Sequence, residues 1–176
     1  MIAYIVMALV VLGFGGLVAY IVLRQKKKKE DYNKQFNYTT KHGIRVKLSD
    51  ETAHIPASDF EEWTEDVVNF WFEAKGYSKE KSMSYMKKIS IFMHDKEHLN
   101  RAGMKVNGIL WPSKFEIECA TLPRNWVEGE SSQTPYKRVK SLFRHEVSHV
   151  IAGYVGKVKM TNEVHHALFA EVGLGA

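Results

Sequence analysis

The first 23 residues, Met1 to Leu23 (MIAYIVMALVVLGFGGLVAYIVL), contain no charged side chain. A helix rises ~1.5 Å per residue, so the run reaches about 34 Å against a bilayer hydrocarbon core of roughly 30 Å. A buried helix of a soluble domain is rarely apolar on every side. A cleaved signal peptide would want a basic start, a shorter apolar run and a small-x-small cleavage site, and all three are missing. The run is therefore expected to be one transmembrane helix, which leaves any globular domain to the rest of the chain. Gly15 and Ala19 make a small-xxx-small pair of the kind that lets membrane helices approach closely.

Arg24-Gln25-Lys26-Lys27-Lys28-Lys29 follows at once, and no Lys or Arg precedes it. The positive-inside rule then places the C-terminal part of the chain in the cytoplasm, with the lysines against anionic head groups. Of 25 basic and 20 acidic residues, five and two lie between 24 and 31, which leaves 20 against 18 beyond. The formal charge of +5 thus mostly reports a membrane-flanking cluster, and no stripe suited to nucleic acid remains. Residues 24–40 read as a basic juxtamembrane linker. It ends on an Asn37-Tyr38-Thr39 sequon that, on this topology, never meets the glycosylating enzyme. The one cysteine, Cys119, excludes an internal disulfide and a cysteine zinc site. Residues 41–176 suffice for one domain with a real core.

Within that domain Gly43 to Leu48 alternates like a half-buried strand. Ser58-Asp59-Phe60-Glu61 has a capping-box pattern. Phe60, Trp63, Val67, Phe70 and Trp71 follow at helical spacing up to Gly76, and such a row is assigned to core. Ser78 is placed to cap a shorter helix through about Lys88, before a strand over Ile89 to Met93. Asn107-Gly108 has the chemistry of a tight hairpin turn. Phe115, Ile117 and Cys119 alternate with Glu116 and Glu118 as a strand with one wet face. The fold class is α+β, with a small antiparallel sheet.

The chemistry gathers near the end of the chain. Thr134-Pro135 offers an N-cap and a first-turn proline, and Gly153 with Gly156 marks a helix end. Between them Val139, Phe143, Val147, Val150 and Tyr154 form one apolar stripe, ~80° wide at ~100° per residue. Lys137, Arg144 and Ser148 fall on the far side, towards water. His145 and His149, four apart, lie together one turn along the helix and can converge on one ion. Glu146 sits between them and the core, where it can hold and deprotonate a water. A catalytic zinc takes three protein ligands and leaves one position open. Glu163, His165, His166 and Glu171 are the downstream candidates for the third. His94-Asp95-Lys96-Glu97-His98 also fits an inverted metal motif, but no amphipathic helix surrounds it, and a charged loop with two solvated histidines is expected.

The stretch from about residue 139 to 170 resembles the zincin metallopeptidases, and among them the small SprT-like proteases. In that family the His-Glu-x-x-His helix is followed about fifteen residues later by a third His, usually within His-Gly-Pro-x-Phe or Trp. His165-His166-Ala167-Leu168-Phe169 keeps the His and the aromatic four residues on, and lacks the Gly-Pro. The resemblance implies a zincin-like domain with His145, His149 and His165 as zinc ligands and Glu146 as general base. His166 stays in reserve, and Glu163 and Glu171 stand behind it. Phe169 would pack its helix under the site. The family's substrate backbone pairs with an edge strand across the metal helix, and Phe115 to Cys119 is the candidate by position.

Together these readings give a membrane-anchored zinc peptidase, held through residues 1–23, whose partner is a polypeptide substrate and not a nucleic acid. An inactive, anchored zinc-binding scaffold and a zinc hydrolase of non-peptide amides or esters are the alternatives.

Overall fold

A computed structural model describes residues 2–124 and 133–171, with the side chains of 2–16, 162 and 171 outside that description. The chain divides into two compact units, 1–36 and 37–176.

The first unit is one helix, α1 (Ile2–Lys34). Its backbone stays helical through the basic run and ends eleven residues beyond Leu23, so residues 24–34 are helical. Lys and Gln are good helix formers, and no Gly or Pro interrupts them. The transmembrane expectation falls largely on side chains outside the described ones. Among the described residues no helix is long and apolar enough to cross a membrane. Leu17, Val18, Tyr20, Ile21, Val22 and Leu23 are all exposed.

The second unit has a five-stranded sheet in the order β1 (Tyr38–Thr39), β2 (Arg45–Lys47), β3 (Ser90–His94), β7 (Glu116–Ala120), β6 (Gly108–Trp111). A separate two-stranded hairpin joins β4 (Leu99–Arg101) to β5 (Met104–Val106). The sheet is mixed and not antiparallel throughout. β2, β3 and β7 run parallel, with β1 and β6 added antiparallel at the two edges. The reason lies in the connections. From β2 to β3 the chain passes through α2 (Ala57–Lys75) and α3 (Lys79–Met86), and a helical crossover returns a strand parallel to its predecessor.

β7 is therefore an interior strand, bonded to β3 on one side and β6 on the other. It has no free edge for a substrate, and the candidate edge of Phe115 to Cys119 is corrected to β6. The tight turn also moves. Asn107-Gly108 joins the hairpin to β6, whereas Ala102 (φ 49°) and Gly103 (φ 80°) turn β4 into β5 with the two positive φ values of a type I′ turn.

α2 starts at Ala57 behind Pro56, one residue ahead of the capping-box pattern, and ends on Gly76 in the left-handed conformation at φ 68°. Its spacing puts Phe60, Trp63, Val67 and Trp71 in the core. Phe60 meets Trp63 and Phe143 at ring-centroid distances of 4.9 and 5.5 Å. Phe143 belongs to α4 (Pro135–Val150), which packs on α2 and on β6 and β7. Ile91, Met93, Ile117 and Cys119 supply the sheet's half of this core. The metal-motif helix is thus gripped between a helix and the open-edged end of the sheet. α5 (Asn162–Glu171) completes the described chain. The turn-forming residues from Leu122 to Gln133 are expected to form a loop, and most of them, residues 125–132, lie outside the described residues.

Candidate metal centre

α4 begins as its sequence requires: the Thr134 hydroxyl accepts from the Lys137 N–H at 3.3 Å, and Pro135 occupies the first turn. Val139, Phe143, Val147 and Val150 are fully buried. Ser148 departs from the expected pattern, being buried and not turned to water. It accepts a hydrogen bond from Trp71 Nε1 at 2.8 Å and donates to the Arg144 carbonyl at 2.6 Å. The tryptophan covers what periodicity assigns to solvent, and the hydroxyl between the two helical histidines becomes a tie to α2.

Beyond Val150 the helix widens into a π turn, Ile151–Val155, closed by the Gly156 N–H on the Ile151 carbonyl at 3.1 Å. Such turns insert a residue and re-aim the chain, and they recur at functional sites. A Cβ on Gly156 would overlap the Tyr77 ring, so the widened turn ends where only glycine fits. Lys157 at φ 58° then reverses the chain towards α5, whose first turn Thr161 caps by accepting from Val164 N–H at 3.3 Å.

This return brings His165 to the helical pair. His145 Nε2 stands 3.3 Å from His149 Nε2 and 3.2 Å from His165 Nε2. One ligand nitrogen from each of the three lies within 4.8 Å of the others, and the group could hold a metal ion. Four-coordinate zinc holds imidazole nitrogens at 2.0–2.1 Å, which separates them by about 3.3 Å at tetrahedral angles. The donor set and two of its three edges therefore fit that ion. Phe169, 1% exposed, lies beneath, with ring centroids 4.8, 4.8 and 4.6 Å from those of His145, His149 and His165.

The remaining candidates stand apart from the cluster. His166 is exposed, with its ring centroid 5.2 Å from that of His165. Glu163 is exposed on the first turn of α5. Glu171 is on the last turn, and its side chain lies outside the described residues. In the decoy motif His94 ends β3 with Nε2 3.2 Å from Glu118 Oε2, and neither it nor His98 joins a metal-holding group among the described residues.

The environment prepares these nitrogens to act as ligands. Burial, reinforced by His145, His165 and Arg101, drives the His149 pKa down to about 3. Burial and then His166 lower His165. Both are thus neutral at physiological pH, as a metal ligand must be. Glu146 is 6% exposed, and burial raises its carboxyl to about 7 against an opposing pull from Arg101.

Two residues that shape the surroundings of Glu146 escape a reading of sequence. Gly108, the first residue of β6, is so close that a Cβ there would overlap Glu146 Oε1. The edge strand thus runs directly past the carboxylate, and the missing side chain makes the room. Arg138 fixes that strand's start. Buried in α4, it donates from Nε to the Ala120 carbonyl (2.8 Å) and from one terminal nitrogen to the Glu97 carbonyl (2.6 Å) and Asn107 Oδ1 (3.0 Å). The available signal was an Asn-Gly pair, which turn chemistry explains equally well, and an arginine on a helix, which is ordinarily solvated.

Comparison of the chain with protein families, with curated proteins and with solved structures gives no match.

Proposed function

We propose that this chain is a zinc-dependent peptidase of the zincin kind, anchored in a membrane by the apolar part of α1 with its domain on the cytoplasmic side. The observation that carries the reading is the convergence of His145, His149 and His165 beside a buried carboxylate. A zinc ion held by the three imidazoles would supply a Lewis acid for the scissile carbonyl and make an attacking water more acidic. Glu146 is the proton carrier. Its carboxylate takes the proton from that water and returns it to the departing amine. An extended substrate backbone is expected along β6, the strand that passes Glu146 and whose outer side pairs with no strand of the sheet among the described residues.

Membrane anchoring rests on other grounds. The uncharged run is helical in backbone, its described part from Leu17 to Leu23 is exposed, and the basic cluster follows it on one side only. Apolar surface on that scale needs a covering.

The test uses full-length protein in detergent. Metal analysis should find about one zinc per chain, and a peptide library should be cleaved in a chelator-sensitive way. Glu146→Gln should keep the zinc and lose about 10²–10⁴-fold in rate, since the amide matches the carboxylate in size but cannot accept a proton. Equal cleavage by the two proteins, each with zinc bound, overturns the assignment. Zinc bound with no cleavage by either leaves an anchored zinc-binding scaffold.

A further inference from the structure

The β4–β5 hairpin carries a cation to the neighbourhood of the site. Arg101, the last residue of β4, is exposed and sits over the Trp111 ring, its guanidinium carbon 5.7 Å from the ring centroid. Trp111 is held in turn by its own N–H, which donates to Glu118 Oε1 at 2.7 Å. The stack therefore stands on an anchored platform at one end of β6, while Gly108 and the Glu146 carboxylate stand at the other. Among the described residues Arg101 has no carboxylate within ion-pair distance.

A guanidinium held over an aromatic ring can match a carboxylate bidentately. A strand rises ~3.3 Å per residue, so Gly108 and Trp111 are about 10 Å apart along β6. A substrate segment paired with this strand would bring a side chain about three residues from the bond beside Glu146 to the Arg101 edge.

We propose that Arg101, held over Trp111, receives a substrate carboxylate, so that the site takes extended peptides with an acidic side chain about three residues from the point of cleavage. This specificity rests on the peptidase reading above. A bare role in docking the hairpin is the simpler alternative, and it predicts effects on stability alone.

The experiment compares peptide pairs that differ only by Glu against Gln, scanned along the sequence, using full-length zinc-loaded protein. At one position the acidic peptide should be favoured by about five- to tenfold in kcat/KM, as for a partly exposed ion pair, with the gain in KM. Added salt should weaken the preference. Arg101→Gln should bring the ratio near one, Arg101→Lys should retain part of it, and Arg101→Glu should favour Lys over Glu in the same place. A preference that survives in Arg101→Gln, or its absence at every position in the wild type, overturns the proposal. So does an equal loss of kcat on both peptides of a pair, which would place Arg101 at the reacting carbonyl. A parallel measurement of peptide binding to the zinc-loaded Glu146→Gln protein separates this proposal from the peptidase reading. If nothing is cleaved by the wild type, that reading fails. The Glu-over-Gln binding ratio, with and without Arg101→Gln, still decides the carboxylate site.

Discussion

Two five-residue segments of this chain have a histidine at each end and a glutamate inside, and they make opposite use of them. In His145 to His149 the segment is part of a helix pressed between α2 and the sheet, and the two imidazole nitrogens meet at 3.3 Å. In His94 to His98 the chain leaves β3 and bends, with the Lys96 N–H on the His94 carbonyl at 2.7 Å. His94 then turns to Glu118 on the neighbouring strand. Spacing becomes geometry only where the backbone period is fixed, because four residues make one helical turn but have no set direction across a bend. The inner glutamates differ as well. Glu146 is buried against Gly108, whereas the loop glutamate Glu97 lends its backbone carbonyl to Arg138.

The comparison breaks most sharply on metal content. Changing His145 and His149 to Ala together should abolish zinc binding, while the same change at His94 and His98 should leave it intact. Single variants refine the cluster: His165→Ala should lose far more zinc than His166→Ala. Full occupancy in the His145/His149 double variant would move the metal to the loop. A smaller effect concerns Glu146. Gly108→Ala puts a methyl where Glu146 Oε1 now lies and must push the carboxylate aside. Zinc should remain, and hydrolysis should fall by about 10²-fold, the scale of a misplacement near 1 Å at a reacting group. Unchanged turnover in Gly108→Ala would show that the carboxylate works from some other position. The smallest effect tests how the helical segment is seated. Ser148→Ala leaves the buried Trp71 N–H without its acceptor and should cost about 1–3 kcal/mol in unfolding. Double substitution with Trp71→Phe should show strong coupling in denaturant titrations, and strict additivity would mean the hydrogen bond contributes nothing.

Local periodicity carries a good part of this protein. Thr134 and Pro135 start α4, Gly76 ends α2, and the stripe from Val139 to Val150 faces the core, because these depend on residues within a turn or two of one another. The nearness of His145 to His149 follows from the same arithmetic. The reach of His165 does not, since it depends on a π turn at Ile151–Val155 and a reversal at Lys157 that no local pattern announces. Strand composition likewise leaves strand order open. β7 reads as a one-sided strand either way, and only its pairing with both β3 and β6 makes it interior and gives the edge to β6. Ser148 reads as a surface residue until Trp71, 77 positions away, covers it. Gly108 reads as turn chemistry until a distant helix brings Glu146 against it. A helical turn joins residues a few positions apart and is written in the chain itself. Contacts between distant segments arise only from packing, and they decide which strand edge is open and what surrounds Glu146.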